Sequence, residues 1–276
     1  MKTRPWRRWQ AATERLLSDL ERATKQPAGT VSFDSLATLP ASVQRYFRLV
    51  LRDGQPRIRS ARVRQTGTFR SREGGDPEAG WSPFTATQHF TAEPPGFVWD
   101  ARVRMAPLVS VRVRDGYVAG HASMHGAVAS LLTVVDAADD AELRAGALQR
   151  YLAEALWLPT VLLPGQGVTW TAMDERHARA TITDAGTAVA LEFEFGPGGE
   201  IVSVFTPGRQ RAMPGGKGGY VLAPWGGRYG EYEVHQGMRV PTVAEVYWLL
   251  DGNKQSYYRG RNVALTYEFA GSEEDR

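Results

Sequence analysis

Glu154 is the first side chain whose setting could do chemistry. It lies in the run Asp140 to Trp157, where Leu143, Ala147, Leu148, Tyr151 and Leu158 project onto one broad apolar face of a helix. Glu154 falls within that face, between Leu143 and Ala147 in projection. A carboxylate turned toward a core must be paired, hydrogen-bonded or protonated, because an isolated buried charge is too costly. One reading makes it a cavity acid or a ligand anchor with a raised pKa. The other, which we favour, is an ion pair to an arginine such as Arg209 that ties the helix to a sheet, since structural ion-pair networks place carboxylates there too.

Other groups with chemical potential fit their motifs less well. His121 and His125 have the spacing that, on a helix, turns two imidazoles toward one metal. Ala122 stands where the zinc-protease glutamate belongs, and the flanking Gly120 and Gly126 read as a strand end or loop, so no metal is expected. His89, His177 and His235 show no ligand spacing. Residues 208–230 hold eight glycines, and Gly215-Gly-Lys-Gly-Gly219 resembles a phosphate loop. Arg211 occupies the position of its first glycine, however, and Gly218 that of its Ser or Thr. No nucleophile elbow or dinucleotide fingerprint occurs. The glycine-rich stretch therefore reads as a loop over the mouth of a barrel, able to act as a lid, with Arg209, Arg211, Trp225 and Tyr229 beside it. No cofactor is implied.

Arginines form a further pattern. Arg62/Arg64, Arg102/Arg104 and Arg112/Arg114 are each spaced by two, so each pair shares one face of a strand. If those strands are neighbours, six guanidinium groups share a sheet face of the kind that binds phosphate. Their alternates are aliphatic, not the stacking aromatics of a single-strand platform, which argues for a solvated outer face and against nucleic acid. Arginine is also the general basic choice here, with 29 Arg to four Lys. Residues 1–72 carry a net +11 and residues 73–276 a net −8, so the basic character is regional. No cysteine occurs, which excludes a disulfide framework, thiolate metal sites and thiol nucleophiles. A chain of 276 residues can bury a sizeable core without such staples.

The elements that must position these groups are readable from periodicity. Pro5 to Lys25 reads as a helix with Trp6, Trp9, Thr13, Leu16, Leu17 and Leu20 on one stripe and Arg4, Arg7, Arg8, Arg15 and Arg22 around it. That stripe would suit a membrane surface, but Glu14, Asp19 and Glu21 dilute its charge, so docking onto the barrel or a second subunit is preferred. No apolar stretch long enough for a secretory signal follows the basic start, and none could span a membrane, so a cytoplasmic protein is expected. A second helix is predicted from about Pro40 to Leu51, with Val43, Phe47 and Val50 on one side and Thr38 or Ser35 as cap. From Arg57 the period falls to two. About four strands precede the 140–157 helix, capped by Asp139 or Asp140, with turns at Pro94-Pro95-Gly96 and Asp115-Gly116. About seven follow, at 168–173, 178–183, 188–195, 200–206, 230–235, 239–250 and 256–269, with turns at 196–199, Gln236-Gly237 and Asp251-Gly252.

Several stretches carry a resemblance. Leu39-Pro-Ala-Ser-Val-Gln-Arg-Tyr-Phe47, Pro94-Pro-Gly-Phe-Val-Trp-Asp-Ala-Arg102, Val113-Arg-Asp-Gly-Tyr117, Arg150-Tyr-Leu-Ala-Glu-Ala-Leu-Trp-Leu-Pro159, Ala223-Pro-Trp225 and Gly237-Met-Arg-Val-Pro-Thr-Val-Ala-Glu245 are similar to the signature runs of an uncharacterised bacterial family, a domain of unknown function. The resemblance covers roughly residues 38–269 and implies no established activity. At the level of fold the strand-rich order is similar to lipoprotein carriers, in which helices plug a half-open barrel around an apolar cavity; this implies a fold alone.

The expected architecture is thus α+β and mainly β: a curved antiparallel sheet or half-open barrel plugged by a helix, with two N-terminal helices. Residues 1–37 form an amphipathic helix and linker, 38–270 a single half-barrel and 271–276 a frayed tail. The expected function is non-enzymatic binding of an apolar or amphipathic, lipid-like molecule by Trp99, Tyr151, Glu154, Trp157, Arg209, Trp225 and Trp248, with Trp170 as a further aromatic of the cavity. The alternative is a hydrolase or isomerase using Glu154 with Arg209 or Asp100 as partner. The sequence carries nothing on oligomeric state.

Overall fold

In the structure, a computed structural model, the described residues form three α-helices, three short 3₁₀ turns and thirteen strands. It describes residues 5–70, 76–107, 109–128, 132–137, 139–165, 167–213 and 219–271; the expected tail at 272–276, Arg4 and the glycine-rich 214–218 lie outside the described residues. Helix α1 spans Pro5–Ala23, α2 Ala41–Val50 and α3 Ala141–Glu154. Strands β1 (Ile58–Arg70), β2 (Trp81–Thr91), β3 (Gly96–Ala106), β4 (Val109–Val118), β5 (His121–Val128) and β6 (Leu132–Ala137) precede α3. After it come β7 (Val168–Ala172), β8 (His177–Asp184), β9 (Thr187–Phe195), β10 (Ile201–Ala212), β11 (Tyr220–His235), β12 (Met238–Leu250) and β13 (Asn253–Phe269).

All the strands form one antiparallel sheet in the order β6-β5-β4-β3-β2-β1-β13-β12-β11-β10-β9-β8-β7. Each strand pairs with its chain neighbour except at the centre, where the first strand of the domain pairs with the last, Val63 facing Leu265. The sheet curls into a half-barrel, and its far ends meet where the β4–β5 and β8–β9 turns touch. There the Tyr117 hydroxyl donates to Asp184 at 2.7 Å. Turn chemistry fixes two of the hairpins. Gln236-Gly237 and Asp251-Gly252 both have positive φ at each residue, the geometry of a two-residue hairpin turn.

Helix α3 lies in the concave side and touches strands from both halves of the sheet. Asp140 caps it, accepting from the Leu143 amide at 2.7 Å, whereas Asp139 turns aside to pair with Arg144 and His121. A 3₁₀ turn, Ala155–Trp157, replaces the last helical residues expected. Leu148, Leu152, Leu156, Leu158 and Leu162 are wholly buried along this segment, and the core runs on through Tyr46 and Phe47 of α2 to Phe193 and Phe195 of β9. Helix α2 starts after Pro40 without a side-chain cap; Ser35 instead bonds the Ser32 carbonyl within a preceding 3₁₀ turn.

Helix α1 docks on the opposite, convex face, against β2, β3 and β4. Trp9, Thr13 and Leu20 are buried there, and Leu20 packs with Val98 and Val118. Trp6 alone of the apolar stripe is exposed. Asp100 accepts from the Trp9 indole and the Thr13 hydroxyl, and Arg114 donates to Thr13 while stacking on Trp9. This corrects the arginine pattern: Arg114 is buried beneath α1, and β2 separates Arg62/Arg64 from Arg102/Arg104, so six arginines do not share one solvated patch.

Three further expectations are corrected. Six strands, not about four, precede α3, because β2 and β6 complete hairpins that periodicity does not announce. Asp115 and Gly116 lie within β4, and the turn falls at Ala119-Gly120, both with positive φ. Of the glycine-rich 208–230 stretch, the described residues 208–212 and 220–230 belong to β10 and β11 and not to a loop.

Candidate ligand-binding site

Between α3 and the concave face lies a cavity of about 620 Å³. Antiparallel pairing sets the C-terminal ends of β1, β3, β10 and β12 at one end of the sheet, and the cavity is lined toward that end by Phe69, Val103, Ala212, Tyr220 and Trp248. Six of the seven residues singled out from sequence line it: Trp99, Glu154, Trp157, Arg209, Trp225 and Trp248. Tyr151 does not; it is buried behind them, where its hydroxyl donates to the Thr91 carbonyl at 2.9 Å. Trp170 is also elsewhere, packed on Phe47, Phe193 and Phe195.

One polar cluster stands at the α3 wall. Arg150 donates to Glu154 at 2.9 Å and to Asp115 at 2.6 Å, and its guanidinium lies over the rings of Phe97 and Trp99. Gln88 donates to the other Glu154 oxygen at 2.7 Å. Glu154 is therefore paired, but with Arg150 of its own helix and not with Arg209. Burial pushes the Glu154 carboxyl above its ordinary range, against the pull of Arg150 and Gln88. Burial also opposes the Arg150 charge, yet Glu154 and Asp115 together hold it above the usual arginine value. Asp100, the other partner considered for Glu154, is on the far face of the sheet under α1.

The second polar group faces it across the cavity. Arg209 lies over the Trp225 ring, 4.6 Å from its centroid, and the Trp225 indole donates to Tyr257 at 2.9 Å. The Arg209 Nη1 is buried with no hydrogen-bond partner among the described residues, as is the Trp157 indole nitrogen. Burial lowers the Arg209 pKa, with Arg150 adding like-charge repulsion. Buried donors left without a partner are uncommon in folded proteins.

Sequence reasoning missed Arg150, Asp115, Gln88 and Tyr257. Arg150 had a signal, since it precedes Glu154 by four residues on one helix. Asp115 was hidden in a dipeptide that reads as a turn. The two histidines of the metal-like spacing sit on β5, each beside its own aspartate, His121 with Asp139 and His125 with Asp136. Among the described residues no cluster of three His, Asp or Glu could hold a metal ion. No described helix is long and apolar enough to cross a membrane.

Comparison with known proteins follows the same lines. The family of unknown function DUF6544 matches residues 29–260. No curated protein matches. Among solved structures, a LolA superfamily protein from Nitrosomonas europaea aligns at 10% identity over 87% of this chain and 94% of its own, with a TM-score of 0.34. A β-barrel-like protein of the domain of unknown function DUF1849 from Brucella abortus aligns at 14% identity over 77% of this chain and 99% of its own, with a TM-score of 0.32. Likeness at that level carries no argument about function.

Proposed function

Because the chain belongs to the family of unknown function DUF6544, membership brings no activity with it, and we propose from the site itself that the protein is a non-enzymatic binder of an apolar or amphipathic, lipid-like small molecule held in the half-barrel. The cavity carries this reading. Its volume of about 620 Å³ lies in the range of small-molecule sites, and its wall combines aromatic and aliphatic side chains with a few placed polar groups. Trp99, Glu154, Trp157, Arg209, Trp225 and Trp248 are the proposed ligand-binding residues, with Tyr151 supporting the wall from behind.

The enzymatic alternative loses support at Glu154. Both of its oxygens accept hydrogen bonds, one from Arg150 of its own helix and one from Gln88, the engagement expected of a structural ion pair. Native mass spectrometry of the purified protein tests the binding reading. The expected result is a non-covalent adduct of lipid size or, after organic extraction, one-to-one uptake of added dodecanol. A protein that carries no adduct and takes up no dodecanol would overturn it.

A further inference from the structure

The cavity's polar groups are unbalanced in a way that specifies its occupant's head. Arg150 has its carboxylates, Asp115 and Glu154, and has no unmet need. Arg209 lines the same cavity, and its Nη1 is buried with no hydrogen-bond partner among the described residues. Two further polar groups line the same cavity: the Trp157 indole nitrogen, likewise buried with no hydrogen-bond partner among the described residues, and the Tyr257 hydroxyl, which accepts from Trp225. A buried cation with an unbonded nitrogen, beside a second buried donor and next to an apolar volume, makes an anionic amphiphile complementary to the cavity.

We propose that the cavity takes an amphiphile with a single anionic head, a carboxylate or a phosphate, and that Arg209 is the residue that receives that head. The planar fork of arginine suits either group. The Trp225 ring, 4.6 Å from the guanidinium carbon, steadies the cation by a cation–π contact that does not use Nη1. The apolar chain then lies against Trp99, Val103, Val113, Trp157 and Trp248. This rests on the binding reading above and narrows it to one class of head group.

Titration of the wild-type protein with dodecanol, dodecanoate and dodecyl phosphate, each kept monomeric at about pH 8, separates the two claims; tryptophan fluorescence and calorimetry report binding. Wild type is expected to bind at least one of the two anions roughly tenfold or more tightly than dodecanol, as a charge-assisted bond requires. The tighter of the two names the head. Arg209→Met, which keeps the aliphatic stem, is expected to bind all three within about twofold of one another, with a near-UV circular dichroism spectrum like that of wild type showing an intact fold. Equal wild-type affinity for dodecanol and both anions would overturn the anionic head while leaving the cavity reading in place. So would an anion preference that survives in Arg209→Met. Failure of wild type to bind any of the three would overturn both. The wild-type comparison needs no variant, so a poorly folding Arg209→Met does not remove the test.

Discussion

At the scale of single residues, Glu154 shows how burial and pairing compete. Its carboxyl is raised by burial, and Arg150 and Gln88 only partly offset that. A carboxyl whose folded pKa lies above its unfolded value binds its proton more tightly in the folded chain. Stability is then fullest at low pH and declines as pH rises from the ordinary value of 4.5 through the folded one. Glu154→Gln removes that decline without breaking the cluster: its carbonyl can accept from Arg150, and once the Gln88 amide turns over, its own amide can donate to the Gln88 carbonyl oxygen, which has no partner among the described residues. Between about pH 5 and pH 8 the melting temperature of wild type is expected to fall relative to that of Glu154→Gln. Parallel curves would show that the carboxyl is not held by burial. Helical projection made the core-facing carboxylate legible in the sequence; its partners were legible only where they shared its helix. Asp115 and Gln88 reach it from two other strands, and local spacing carries no information about such approach.

At the scale of elements, the informative residue of α3 is a glycine. Gly146 sits in the interior of the helix and is buried, yet a Cβ there would meet nothing within 4 Å, because it faces the cavity. Helix propensity alone disfavours glycine at such a position by roughly 0.5–1 kcal/mol relative to alanine. Gly146→Ala is therefore expected to raise stability by about that amount in chemical denaturation. Gly146→Phe would put a ring into the open space and is expected to keep the fold while losing dodecanol uptake. Uptake equal to wild type would place the bound molecule elsewhere. Strand signals varied for similarly local reasons. The β12–β13 hairpin announces itself by alternation and an Asp-Gly turn. Strand β2 does not, because its inward positions include Ala86 and Gln88, and Pro83 breaks the pattern. Gly116 reads as a turn but lies in mid-strand, where a Cβ would come within 3.1 Å of Leu16 of α1. A helix docked from outside the sheet thus wrote a turn signal into a strand.

At the scale of the whole molecule, the closure of the half-barrel was the least legible feature. A curved antiparallel sheet follows from strand order and turn spacing, but the pairing of β1 with β13 and the meeting of two distant turns depend on register and twist that no local pattern encodes. The charge split likewise acquires meaning only in three dimensions, since the basic first quarter of the chain supplies α1 and the central strand β1, with the acidic Asp100 bridging to α1 from β3. Closure rests on a small contact. Tyr117 of β4 donates to Asp184 at the end of β8, and burial first, then this carboxylate, pushes the phenol well above its ordinary pKa, so it is a donor at neutral pH. Gly120 abuts Ala185 in the same place, too closely for any side chain. Tyr117→Phe leaves the buried ring and removes only the bond to the carboxylate, an expected loss of about 1–2 kcal/mol. Because the bond joins the two ends of one sheet, the effect should be local as well as global. Hydrogen exchange is expected to quicken in the β8–β9 and β4–β5 turns while the central β12–β13 ladder keeps its protection relative to global stability. Uniform acceleration across both regions would mean that the two edges do not open as a unit, and that the curl of the central strands, not the turn contact, holds the cavity shut.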